Sequence, residues 1–322
     1  MAQHFLLSTK ARTLSLAQVL RLSEDEAYAQ FKAIRFSEND GEAFCPKCGG
    51  TDLYTLGRRK MWRCKAKECG WQFSVTSGTI FAARKLSVRD ILAAIAIFAN
   101  GAKGISALQL SRDLDVQYKT AFVMAHKLRE AMAAGDKGKQ VSGEVEVDGM
   151  YAGGYVKPAN IKALRKDRRL LANQSGKRQS VIVARERNGQ TITMVAKSEA
   201  EGAVAIHDRI AHGSTVYADE ATHWDAFHAC FKAKRINHSE AYSTNEACTN
   251  MAESFFSRLR RAEVGTHHHI AGPYLASYAA EMDWREDNRR ISNGEQFTAI
   301  VCSAARHPVS RKWKGYWQRR RA

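Results

Sequence analysis

The stretch "VEVDGMYAGG", residues 145–154, alternates apolar and acidic side chains before it reaches a pair of glycines. Successive side chains of a β-strand face opposite ways, so Val145 and Val147 lie on one face and Glu146 and Asp148 on the other. This alternation predicts a strand with one buried face. The two carboxylates fit either a solvated sheet face or a site that holds a metal ion against nucleic acid.

The charge balance favours a polyanionic partner. The 322-residue chain carries 50 Lys and Arg against 33 Asp and Glu, a formal net charge of +17. Each phosphate contact releases counterions, so nucleic acid fits this excess, although a membrane-surface or ribosome-associated protein also fits it. "MAQHFLLSTKART" shows no signal peptide, and "ILAAIAIFANGA" is too short to cross a bilayer. We therefore expect a cytoplasmic protein of two or three domains without a membrane partner.

Four of the seven cysteines cluster in the segment 42–81, as Cys45, Cys48, Cys64 and Cys69. Two close pairs on separate turns can supply four thiolates in a tetrahedron, which is the arrangement of a closed structural zinc site. The alternative is four unrelated thiols, and the C-x₄-C spacing of the second pair weakens the zinc pattern slightly. The cluster favours structural Zn²⁺ in a reducing compartment over a disulfide framework.

The segment "KGISALQLSRDLDVQYKTAFVMAHKLREAM", residues 103–132, predicts a short helix, a tight turn and a longer helix. This order is typical of a helix-turn-helix, whose second helix reads DNA with its amino-terminal residues. Gln117, Lys119 and Thr120 would lie there, within reach of base edges and phosphates. An ordinary helical hairpin has the same pattern, so the pattern alone leaves both interpretations open.

Three acidic residues lie in contexts that could converge. Asp148 lies on the first long strand, Asp219 ends the strand "STVYADE", and Glu253 lies on a helix that begins near residue 249. Carboxylates from separate elements are what a pair of Mg²⁺ or Mn²⁺ ions needs, because these hard cations prefer oxygen ligands. Glu144 and Glu146 share the face of Asp148 and are alternatives to it.

The helix around Glu253 has one polar face. Asn250, Glu253, Ser257 and Arg260 follow one another at steps of three and four, so they share that face. A basic residue two turns after a carboxylate can hold a phosphate beside a metal ion. Arg260 is therefore a candidate phosphate ligand.

Two further segments are strongly basic. Residues 157–179 read as a basic insertion between strands, and we expect it to contact DNA through Arg165, Lys166, Arg168 and Arg169. The tail "SRKWKGYWQRRRA", residues 310–322, mixes Trp and Tyr with Lys and Arg. Such a tail fits stacking on DNA or a disordered, solubilising end.

The motifs "CPKCGG", "FSVTSGTIF", "KGISALQLSRDL", "YKTAF", "EVDGMYAGG", "YADE", "NHS", "TNMAESFFSRLRR" and "GTHHHI" occur in the order found in one group of proteins. Over residues 14–290 the chain resembles bacterial insertion-sequence DDE transposases that carry a zinc ribbon and an ISXO2-like catalytic domain. The resemblance implies an α/β chain with a ribonuclease-H-like catalytic domain, preceded by a zinc ribbon and a helix-turn-helix. We expect an amino-terminal helix with the zinc ribbon over 1–82, the helix-turn-helix region over 83–140, the catalytic domain over 141–300 and a basic tail over 301–322.

The resemblance also assigns roles to single residues. Asp148 and Asp219 match the first and second catalytic carboxylates of the family. Asn250 and Glu253 both fill the third pattern; we favour Glu253, because a carboxylate binds Mg²⁺ better than an amide does, and keep Asn250 as a partner. Arg260 stands where a Lys or Arg usually follows.

These matches imply a transposase that binds the terminal inverted repeats of its own element and moves 3′ ends into target DNA. Its expected partners are double-stranded DNA and a second copy of the chain, or a higher assembly, because two ends must be joined at once. We expect it in the bacterial cytoplasm, on the nucleoid when bound to DNA. Two alternatives stay open: a resolvase-type nuclease of the same fold, and a DNA-binding regulator whose catalytic domain is inactive.

Overall fold

A computed structural model describes residues 5–136, 138–154, 157–167, 173, 176–236 and 248–319. The chain forms two compact units, one of residues 1–135 together with 288–322 and one of residues 136–287. Residues 288–300, which the expected catalytic domain of 141–300 included, belong to the first of these units. Arg168, Arg169 and the "NHS" motif at 237–239 lie outside the described residues.

The helices in chain order are α1 (Leu16–Leu20), α2 (Glu24–Arg35), α3 (Val88–Asn100), α4 (Ala107–Asp113), α5 (Tyr118–Ala133), α6 (Glu199–His207), α7 (Asn250–Ala262), α8 (Gly272–Asp287), α9 (Asn293–Arg306) and α10 (Tyr316–Arg319). The strands are β1 (Leu53–Leu56), β2 (Met61–Cys64), β3 (Gln72–Ser74), β4 (Glu144–Gly153), β5 (Arg178–Glu186), β6 (Thr191–Ala196), β7 (Thr215–Asp219) and β8 (Lys232–Ile236). In the described ranges, no helix combines the length and apolar character needed to cross a bilayer.

Helix α3 is the centre of the first unit. Its residues from Ile91 to Ala99 are all buried, as expected for a helix that is apolar on every side. Helix α9 packs against α2, α3 and α5, and buries Phe297 and Ile300. The side chain of Asn293 accepts hydrogen bonds from the backbone amides of Thr13, at 2.8 Å, and Leu14, at 3.0 Å. These contacts explain why the end of the chain belongs to the same unit as its beginning.

The second unit is built on a sheet that has, within the described residues, five strands in the order β6-β5-β4-β7-β8. Strand β4 pairs antiparallel with β5 and parallel with β7, and β7 pairs parallel with β8. After β7 the chain forms a 3₁₀ segment, Thr222–Ala229, and then enters β8.

Helices cover both faces of this sheet. Val145 and Val147 pack on one face with Ile206 of α6 and with Trp224. The other face carries Met150 and Ala152 of β4, which pack with apolar residues of α7. The prediction of a single buried face for this strand is therefore wrong, since alternation places the acidic side chains but does not show what covers them.

Candidate active site and zinc site

The four clustered cysteines come together at one point of the first unit. The sulfur atoms of Cys45 and Cys69 are 3.6 Å apart, as are those of Cys48 and Cys64, and all four lie within 4.8 Å of one another. Zinc–sulfur bonds of about 2.3 Å in a tetrahedron separate the sulfurs by roughly 3.8 Å, so this set fits Zn²⁺. Among the described residues, these four side chains are the one group of three or more His, Cys, Asp or Glu ligands close enough to share a single ion.

Local backbone structure aims the first cysteine pair at that point. The backbone amide of Cys45 donates to the carbonyl of Gly50, and the amide of Gly49 donates to the carbonyl of Cys45, both at 2.8 Å. Gly49 has a φ of +76°, which a side chain would oppose. Strands β1 and β2 form the hairpin that ends at Cys64. The C-x₄-C spacing is thus compatible with a four-sulfur site.

Two of the predicted carboxylates lie on neighbouring parallel strands. Glu146 of β4 is paired with Tyr217 of β7, and both strands run in the same direction. Asp148 and Asp219 each lie two residues further along, so they stand on the same face of adjacent strands, whose backbones are about 4.8 Å apart. The sheet therefore brings these two acids together.

Helix α7 supplies the third predicted acid. Its buried residues, Phe255 and Leu259 among them, press it onto the face of the sheet that carries Asp148. Glu253 is half-buried and interacts electrostatically with Asp148, whereas Asn250 and Arg260 are exposed on the same helix. The charges of Asp219 and Glu253 act on Asp148, but these carboxylates are not grouped as tightly as the four sulfurs.

The electrostatics of Asp148 reflect this crowding. Burial raises its pKa to about 7, and the negative charges of Asp219, Glu253 and Glu199 act in the same direction. The backbone amide of Gly149 donates to Asp148 at 2.7 Å and opposes the rise in pKa. A carboxyl surrounded by carboxylates is a favourable place for a divalent cation, which removes the mutual repulsion.

Glu199, which was not predicted from the sequence, is a fourth acid whose charge acts on Asp148. It opens α6 and lies against β4, where a Cβ on Gly149 would come within 2.8 Å of its Cγ atom. Its Oε2 is 3.9 Å from Nε2 of His223. Burial raises the pKa of Glu199, and the charge of Asp219 adds to the effect. The glycine after Asp148 was the available signal, because it leaves room for a neighbouring side chain.

Glu146, considered above as an alternative ligand, has a different position. Its side chain is 1% exposed and accepts hydrogen bonds from the backbone amides of Met251, at 2.6 Å, and Ala252, at 3.2 Å. Arg187 donates to it from Nε at 3.1 Å. A carboxylate at the positive end of a helix is stabilised there, so Glu146 ties the first turn of α7 to β4.

The predicted DNA-contacting residues are exposed where the structure describes them. Gln117, Lys119 and Thr120 are exposed at the start of α5, directly after the turn that follows α4. Arg165 and Lys166 are exposed in the segment between β4 and β5.

Comparison with known families divides the chain at nearly the same places as its fold. Residues 140–287 match the ISXO2-like transposase domain, and residues 22–72 match the transposase zinc-ribbon domain. No curated protein and no solved structure matches the chain. The first match coincides with the second compact unit, and the other ends just past the last zinc-site cysteine. The chain belongs to the insertion-sequence DDE transposases that carry a zinc ribbon and an ISXO2-like transposase domain.

Proposed function

We propose that this transposase binds the terminal inverted repeats of its own insertion sequence, cleaves the strand there and transfers the freed 3′ end into target DNA. The observation that carries the proposal is the convergence of Asp148, Asp219 and Glu253 on one face of the sheet within a matched transposase domain. The strand order, with an antiparallel β6-β5-β4 half and a parallel β4-β7-β8 half, supports a ribonuclease-H-like fold for this domain.

The carboxylates suit hard divalent cations, Mg²⁺ or Mn²⁺, for two reasons. They offer oxygen ligands, and a bound cation relieves the repulsion between their negative charges. When bound, a pair of such ions activates the attacking water or 3′-hydroxyl and stabilises the leaving oxygen. Asp148 and Asp219 would hold the ions from the sheet, and Glu253 from α7. Asn250 offers an amide oxygen one turn earlier on the same helix, and the exposed Arg260 can neutralise a phosphate.

End recognition is assigned to the first unit. The zinc ribbon and the α4–α5 pair, which we interpret as a helix-turn-helix, would dock on the inverted repeats. Gln117 precedes α5, and in the described part of the chain its side chain does not cap that helix. The amide can therefore reach a base edge, while Lys119 and Thr120 contact phosphates. Arg165 and Lys166 would hold flanking or target DNA, together with Arg168 and Arg169 beyond the described residues. Joining two ends requires two active sites, so we expect a dimer or a higher assembly on DNA.

The test uses duplexes of the element's own ends, incubated with the protein in Mg²⁺ or in Ca²⁺. Asp148→Asn, Asp219→Asn and Glu253→Gln should each lower cleavage in Mg²⁺ by at least about a thousandfold, because each removes an anionic ligand of the cations that would stabilise the charged transition state. End binding in Ca²⁺ should stay near the wild-type level. Asp225→Asn, an exposed change near Asp219 on the same connection, is the matched control.

Three outcomes contradict the proposal. Cleavage retained in Asp219→Asn would overturn the assignment of the site. Cleavage of branched DNA without joining of 3′ ends would identify a resolvase-type nuclease. End binding that is identical in EDTA, with no cleavage by the wild-type protein, would identify a regulator.

A further inference from the structure

The end of the chain folds back onto helix α5. The tail segment, defined as residues 310–319, buries Trp313 to 2% exposure and stacks its ring on His126 with the centroids 4.3 Å apart. Phe122 lies one turn earlier on α5 and contacts Trp313 and Trp317, at centroid distances of 5.9 and 5.8 Å. The tail segment is therefore an ordered part of the first unit, and the interpretation of residues 310–319 as a disordered end is wrong.

The tail segment also reaches the first turn of α5. The indole Nε1 of Trp317 donates to the backbone carbonyl of Lys119 at 3.4 Å, and the Lys119 ammonium lies 5.4 Å from the centre of the Trp317 ring. Arg319 donates to the carbonyls of Arg311, at 2.8 Å, and Lys312, at 2.5 Å. These bonds close the tail segment into a compact lobe beside the residues assigned to DNA recognition.

The surface of this lobe is basic. Arg311, Lys312, Lys314 and Arg319 are all exposed, and no acidic residue follows Glu295 in the sequence. Aromatic side chains fix the backbone beneath them, so the charges are held in place rather than spread over a mobile chain. A fixed cluster of cations is complementary to a nucleic-acid backbone.

The lobe flanks the recognition residues without covering them. Ala121 and Ala125 face the core of the unit, and Phe122 and His126 face the tail segment. Successive residues of a helix are offset by about 100°, so Thr120 and Phe122, two positions apart, are separated by about 200°. Thr120 therefore points away from the side of α5 that Phe122 occupies. Thr120 remains exposed beside the lobe.

We propose that the tail segment and the first turn of α5 form one surface for duplex DNA. In this surface α5 enters the groove, and Lys312 and Lys314 contact the phosphates next to it. The inference rests on the proposed role of α5 in end recognition. It adds a contact that lies outside both ranges matched by the family, 22–72 and 140–287.

The experiment measures binding of the full-length protein to an end duplex and to a scrambled duplex over a range of salt concentrations. The double variant Lys312→Gln/Lys314→Gln should reduce the slope of log K against log salt by about 2 on both duplexes, since each lost phosphate contact removes about 0.9. Lys10→Gln/Arg21→Gln removes the same charge from exposed positions elsewhere in the first unit and should leave the slope unchanged. Trp317→Ala should weaken binding to both duplexes several-fold, and Trp317→Phe should restore it.

An unchanged slope in the lysine double variant, or a change equal to that of the control, would overturn the inference. So would tighter binding by Trp317→Ala, because the lobe would then mask α5 rather than assist it. Gln117→Ala separates this inference from the proposed function. It should weaken binding to the end duplex and leave binding to the scrambled duplex unchanged. If Gln117→Ala has no effect while the lysine variant lowers the slope, end recognition by α5 fails and the phosphate contact stands.

Discussion

Asp148 is the side chain whose ionisation bears most directly on the proposed metal site. In the folded protein its pKa is raised to about 7, so between pH 4 and 7 the folded state holds a proton that the unfolded chain has released. The stabilising contribution of this group is complete below pH 4 and is lost as the pH rises through 7. Without divalent ions, Asp148→Asn should therefore melt at a higher temperature than the wild-type protein at pH 8, and by a smaller margin at pH 5.

Thermal unfolding in EDTA at the two pH values measures this difference. Mg²⁺ should raise the melting temperature of the wild-type protein at pH 8 and leave Asp148→Asn unaffected, since a ligand stabilises only the state that binds it. Equal pH dependence in the two proteins would show that Asp148 is not the group that titrates.

Glu199 should affect the same titration from a distance. Its charge helps to raise the pKa of Asp148, so Glu199→Gln should lower that pKa and move the acidic limb of the cleavage profile to lower pH. Glu201→Gln, an exposed change on the same helix, is the matched control and should leave the profile in place. A Glu199→Gln profile that overlays the wild-type one would rule out this coupling.

Among whole elements, α7 is tied to the sheet at its first turn by a buried long-range contact. Glu146 accepts hydrogen bonds from two backbone amides in the first turn of this helix, and Glu253 lies in the same turn. Glu146→Gln replaces one acceptor oxygen by a donor, so it should lower the free energy of unfolding by about 1–3 kcal/mol. It should also raise the Mg²⁺ concentration needed for half-maximal cleavage, because Glu253 is held less firmly.

Urea unfolding and a Mg²⁺ titration of cleavage separate the two effects. Glu144→Gln alters an exposed acid on the same face of β4 and should change the Mg²⁺ requirement far less. A Glu146→Gln protein that loses stability but keeps the wild-type Mg²⁺ requirement would limit Glu146 to a structural role.

The zinc ribbon should depend on its metal for folding. The segment of residues 42–81 has short strands, and binding of an ion by four thiolates supplies folding free energy directly. Cys45→Ser should lose bound zinc and the amide protection of this segment, as measured by metal analysis and hydrogen exchange. Cys302→Ser, which changes a cysteine outside the cluster, should retain both. Full zinc content in Cys45→Ser would exclude the four-sulfur site.

At the scale of the whole molecule, the first unit is assembled from segments at both ends of the sequence. Phe297 of α9 is buried among the helices of that unit, so Phe297→Ala should destabilise it by about 3–5 kcal/mol. Hydrogen exchange should show faster opening of α3 with no change in β5, because β5 belongs to the second unit. The exposed neighbouring change Thr298→Ala should alter neither element. Faster exchange in β5 as well would show that the two units unfold together.

The sequence revealed those features whose signal is local. Cysteine spacing indicated the zinc site, and the strand patterns around Asp148 and Asp219 predicted the two elements that the sheet places side by side. Glu199 itself resembles an ordinary acid in the first turn of a helix, and Gly149 indicated only that some side chain packs beside Asp148. The attachment of α9 to the amino-terminal unit was missed because no local pattern records which distant segments pack together.

The discontinuous first unit has a consequence for biosynthesis. A ribosome makes residues 136–287 before it makes α9 and the segment that seats Trp313. Domains fold as units while the chain emerges from the ribosome. The second unit, which carries the proposed active site, should therefore fold on the nascent chain while the first unit, to which end recognition is assigned, still lacks its last helices. An mRNA truncated near its 3′ end would then yield a protein with a folded catalytic unit but an incomplete first unit, and such a protein should lack selectivity for the element's ends.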